Sequence, residues 1–127
     1  MRSLILLLAT ACSIGGCANP VEPGRDSNAS ELSGRVAGSP QTCVSNFANQ
    51  NLRALDASTI ALGSGRTIYV NHLPGPCPAL APLNTIIVDA SDGTRYCRGN
   101  RIRGLEVGAI IPGPTCNLGD WVPYRLP

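Results

Sequence analysis

The chain has 127 residues, a formal net charge of +2, 43% apolar residues and only 4% aromatic ones. With 14 Gly and 11 Pro, about one residue in five bends or breaks regular structure, which favours short strands and turns over long helices. The apolar content is too high for a wholly disordered chain, and the length suits one domain. All ten basic residues are Arg, and so small a net charge gives no ground for a nucleic-acid partner.

Met1-Arg2-Ser3 supplies a short basic start, residues 4–8 are an unbroken apolar run, and small residues lead to Ile14-Gly15-Gly16-Cys17. A basic start, a short apolar centre and a small-residue exit form the layout of a secretory signal over residues 1–16, too short to span a bilayer. The last four residues resemble the lipobox of bacterial lipoproteins. That resemblance implies cleavage before Cys17, a diacylglycerol on its sulfur and a further acyl chain, such as palmitate, on its nitrogen. Cys12 fits less well, because Ala9 stands where the pattern has a branched aliphatic residue. Two or more chains anchor stably, at about 0.8 kcal/mol per buried CH2. Ala18 follows the cysteine where an Asp would imply retention at the inner membrane, so the resemblance implies an outer-membrane protein facing the periplasm. Residues 17–40 are rich in Pro, Gly and Ser and read as a flexible tether.

Residues 41–127 form the expected domain. With Cys12 removed and Cys17 acylated, Cys43, Cys77, Cys97 and Cys116 remain, and an even number in a small exported chain predicts two disulfides. No two of them form a Cys-x-x-Cys knuckle and the only histidine is His72, so no metal site is expected. Four cysteines allow three pairings, among which the sequence does not choose; Cys43–Cys116 with Cys77–Cys97 is the arrangement favoured, because it ties the two ends of the domain. Chain-entropy arguments give each bridge a few kcal/mol, about 3 or more.

The pattern after residue 41 is β. Residues 59–62 and 66–70 flank Gly63-Ser64-Gly65; a three-residue loop with Gly65 left-handed places Ile60, Leu62, Ile68 and Val70 on one buried face. Residues 73–83 hold four prolines and read as a loop pinned by Cys77. Residues 85–89, 94–98 and 101–107 predict a meander turned by Asp92-Gly93 (type I′) and Gly99-Asn100. Ile110-Ile111 and residues 121–126 predict edge or closing strands, and residues 46–55 are ambiguous between strand and a helical turn. The fold expected is all-β: a small disulfide-stapled antiparallel sandwich or half-open barrel.

Several local motifs then share an order: Cys43-Val44-Ser45, Asp56, residues 69–73 leading to Cys77-Pro78-Ala79-Leu80, Tyr96-Cys97-Arg98-Gly99-Asn100-Arg101-Ile102, and Cys116-Asn117-Leu118-Gly119. Over residues 41–121 this resembles a proteobacterial family of small four-cysteine exported proteins that is known only as a domain of unknown function. The resemblance implies the domain limits and the four cysteines and no activity. The family commonly has Asp where this chain has Asn100.

His72 lacks any Gly-x-Ser-x-Gly elbow or similar nucleophile context, so no enzyme activity and no cofactor is expected. Asp56, Asp89, Asp92, Glu106 and Asp120 do not follow a calcium-loop spacing. The remaining feature is Arg95, Arg98, Arg101 and Arg103. A two-residue turn at 99–100 sets Arg98 against Arg101, and facing like charges call for an anion. Arg98, Arg101 and Arg103 are therefore candidates to bind an envelope protein, an anionic lipid or a cell-wall carboxylate. Against this, charged residues on a strand are usually solvated, and Asp89 is placed to neutralise part of the cluster. The expected function is a lipid-anchored, non-enzymatic structural or binding module held at the membrane through Cys17, the alternative an inhibitor or anionic-ligand binder using the 95–103 face.

Overall fold

The computed structural model describes residues 30–46 and 51–127. Among these residues the chain is nearly all β, with three antiparallel sheets, no closed barrel and a single helical turn at residues 30–32. The strands are β1 (Val36–Ala37), β2 (Cys43–Ser45), β3 (Arg53–Asp56), β4 (Thr59–Leu62), β5 (Thr67–His72), β6 (Thr85–Asp89), β7 (Arg95–Cys97), β8 (Arg101–Leu105), β9 (Cys116–Asn117) and β10 (Trp121–Arg125). The largest sheet has the order β1-β10-β5-β4-β3, beside a β2-β7 pair and a β6-β8-β9 sheet.

Apolar side chains lie on both faces of the large sheet. Ile60, Asn71 and Trp121 are cross-strand neighbours on one face, and Ile60 and Trp121 join Val44, Leu62, Leu80, Ile102 and Leu118 in the main core. On the other face Ala61, Ile68 and Val70 pack with Leu55, Leu32 and Tyr124. The hairpin register therefore differs from the expected one: Leu62 faces Tyr69 and Ala61 faces Val70, which puts Ile60 and Leu62 on the opposite side from Ile68 and Val70. A single buried face selects a register, and a strand buried on both faces does not. Gly65 is left-handed, with φ of 81°, as the turn requires.

β10 is interior to the sheet, not an edge. Its Pro123 carbonyl accepts from Gly38 N–H at 2.7 Å, so the missing proline N–H faces the two-residue β1 and leaves the β5 ladder intact. The same contact shows that the folded part starts before residue 41. Residues 36–38 pair with β10, and Arg35 donates to the Arg66 carbonyl at 3.1 Å, although their composition reads as tether.

The expected meander does not form. β6 pairs with β8, and β7 leaves that sheet to pair with β2. Asp92 is not left-handed, as a type I′ turn would need; only Gly93 has positive φ, 71°. Asp92 instead accepts from the N–H groups of Thr94 and Arg95, at 2.9 and 3.0 Å, which turns the chain toward β2. Cys43 lies directly opposite Cys97 in the β2–β7 pair. The disulfides are accordingly Cys43–Cys97 and Cys77–Cys116, neither of the pairs favoured from sequence.

Cys77 is fully buried and holds the proline-rich loop against β9. That loop seats Ala79 over Gly104 of β8 and over Gly113, at both of which a side chain would collide with Ala79. Ile110-Ile111 forms no strand and is exposed, because residues 106–112 make a loop beyond the β8–β9 pairing. Of residues 46–55, ambiguous in the sequence, 47–50 lie outside the described residues and 53–55 belong to strand β3.

Candidate functional site

Cys17 and the expected signal lie outside the described residues. The four later cysteines are all used in the two bridges, which fit an oxidising compartment.

The arginines do not form one facing cluster. Asn100 N–H donates to the Cys97 carbonyl at 3.0 Å and Gly99 has φ of 85°, the pattern of a type II turn. Arg98 thus occupies a turn corner and does not face Arg101, which is paired with Asp89 on one side and Asn117 on the other. Carboxylates answer three of the arginines: Arg95 with Asp92 at 3.1 Å, Arg98 with Asp120 at 3.2 Å, and Arg101 with Asp89 at 3.9 Å. Exposed pairs of this kind contribute little to stability but do cancel charge. Asp89 meets Arg101 and so neutralises part of the arginine set. Arg103 faces Ile87 across the sheet, and among the described residues no carboxylate pairs with it. Asn100 Oδ1 accepts from Cys97 N–H at 2.7 Å, so its side chain closes the turn. The Thr94 and Arg95 N–H groups, then the Arg95 guanidinium, hold the Asp92 carboxyl down to about 2.

His72 ends β5 with its side chain exposed. Among the described residues no three His, Cys, Asp or Glu side chains converge as a metal site, and no helix is long and apolar enough to cross a membrane.

Sequence reasoning missed three features. Fully buried Asn71 donates to the Gly119 carbonyl at 2.7 Å and accepts from Gly119 N–H at 2.8 Å, locking the turn before β10 to β5. Nothing in a lone Asn announces such a lock. Second, Arg53 pairs with Glu31 and donates to the Asn51 and Gly63 carbonyls, at 2.7 and 2.9 Å. A cleft beside that pair is lined by Leu52, Leu55, Pro82 and Leu83. Third, Leu83, Val107, Ile110 and Ile111 are 78–91% exposed. The Ile110-Ile111 dipeptide was the visible signal for this last feature, but an apolar pair alone reads equally well as strand.

A family model described as a family of unknown function (DUF6491) matches residues 1–117. The chain belongs to this family. The match takes in all four bridging cysteines and β1 to β9. No curated protein and no solved structure matches the chain.

Proposed function

We propose that this member of the family is a lipid-anchored module of the cell envelope, moored through acyl chains on Cys17 and serving a structural or binding role without catalysis. The observation that carries the reading is Ile14-Gly15-Gly16-Cys17 placed directly after a short apolar run with a basic start. Two disulfides among the remaining cysteines agree with export to an oxidising compartment. Ala18 in place of Asp argues for the outer membrane. The segment from Cys17 to Ser30 then connects the described fold to the bilayer.

The test is fractionation of cells that express the wild type and Cys17→Ala, with labelled palmitate in the medium. The wild type is expected in the outer-membrane fraction carrying label, and the variant unlabelled and released. Equal membrane retention of an unlabelled wild type would refute the anchor.

A further inference from the structure

The β6–β8 sheet is polar at one end and aliphatic at the other. Asp89 faces Arg101 at the first end, and Thr85 faces Leu105 at the second. Just beyond that second end lie Leu83, 91% exposed, and the β8–β9 loop with Val107 at 78%, Ile110 at 91% and Ile111 at 78%. Single exposed aliphatics are ordinary, but four at one end of one sheet call for a cover. The loop is built to present them: Ala109 N–H donates to the Glu106 carbonyl, Gly108 takes φ of 83°, and Gly113 N–H closes the base on the Gly104 carbonyl. Its only charge is Glu106.

The entry of the chain indicates which surface covers this end. Glu31, one residue into the described fold, lines the same cleft as Leu83. From Cys17 to Ser30 the chain can span at most about 45 Å, so a domain anchored at Cys17 stays near the bilayer, with the Leu83 side closest to its leash. Val107, Ile110 and Ile111, like Leu83, leave most of their aliphatic surface open, as an interfacial anchor must.

We infer that Leu83, Val107, Ile110 and Ile111 insert into the interfacial layer of the bilayer that holds Cys17, orienting the domain on it. The inference rests on the anchored reading of the protein. The loop offers anionic headgroups no cation, so the attachment is apolar and salt does not weaken it.

The experiment uses the full chain in vesicles of phosphatidylethanolamine and phosphatidylglycerol with brominated acyl chains. Ile110→Trp reports on the aliphatic end and Ser91→Trp on the polar end; native Trp121 is fully buried and serves as a common background. Emission from Ile110→Trp is expected to fall several-fold more than that from Ser91→Trp, with no loss of quenching in molar salt. Equal quenching of the two would overturn the inference. So would a photo-crosslinker at position 110 that captures only protein in intact envelopes, since the cover would then be a partner chain. Failure of the anchor is separate: the purified chain would lack acyl groups and, added to vesicles from outside, would still be quenched at position 110 if the end inserts, and unquenched if it does not.

Discussion

The seat of the proline-rich loop on the β6-β8-β9 sheet can be tested by a pair of glycine substitutions that differ in what they strike. A Cβ at Gly113 would collide with the Ala79 methyl, its other neighbours lying at 3.5 Å or beyond. A Cβ at Gly104 would collide with the carbonyl carbon and oxygen of Ala79, which no substitution at 79 removes. Overpacking of this kind costs about 1–3 kcal/mol, so each Gly→Ala variant should lose that much in urea unfolding. For a domain of this size, that is a fall in Tm of about 4–8 °C per kcal/mol. Ala79→Gly should itself cost about 1 kcal/mol, from one lost methyl and added chain entropy. Combined with Gly113→Ala it should recover most of the second loss, a coupling of about 1–2 kcal/mol; combined with Gly104→Ala the losses should simply add. Equal rescue at both sites, or a harmless Gly113→Ala, would refute this placement of the loop.

Asn71→Leu leaves both the N–H and the carbonyl of half-buried Gly119 without their partner, and should cost about 1–3 kcal/mol in urea unfolding; a loss under about 0.5 kcal/mol would deny the lock. Asp92 has a folded pKa of about 2 against an ordinary 3.8, so its carboxylate favours the fold above pH 3.8 and that contribution fades as pH falls toward 2. An NMR titration of its side chain should show a midpoint near 2, and a midpoint near 3.8 would contradict the turn geometry. Trypsin can cut between every pair of bridging cysteines, at Arg53, Arg66, Arg95 and Arg98. A non-reducing peptide map should therefore link Cys43 to Cys97 and Cys77 to Cys116, and any other linkage would contradict the β2–β7 pairing.

Much of the fold is legible in residue order because its elements are local. Thr59–Leu62 and Thr85–Asp89 are β-branched runs bounded by turn residues, and both are strands. The proline-rich loop and its pin at Cys77 also follow from composition. What could not be read depends on partners far along the chain. β2 is three residues long and captures β7 across 54 residues, and the disulfide pairing and the loss of the meander both follow from that one capture. The register of β4 on β5 was hidden by burial of both sheet faces, for which alternation carries no information. Backbone pairing of residues 36–38 with β10 leaves no trace in side-chain composition. The carboxylate that meets Arg98 was hidden for the same reason: Asp120 reaches it only because the chain returns from β9 to β10 beside the turn.

The measurement that bears most directly on the whole account is the intact mass of the protein purified from its native membrane, with and without reduction. The expected species begins at Cys17, carries the added mass of a diacylglycerol and a fatty acid, and gains four protons' mass on reduction of two disulfides. A species that retains Met1, lacks acyl groups, or shows no mass change on reduction would contradict the account.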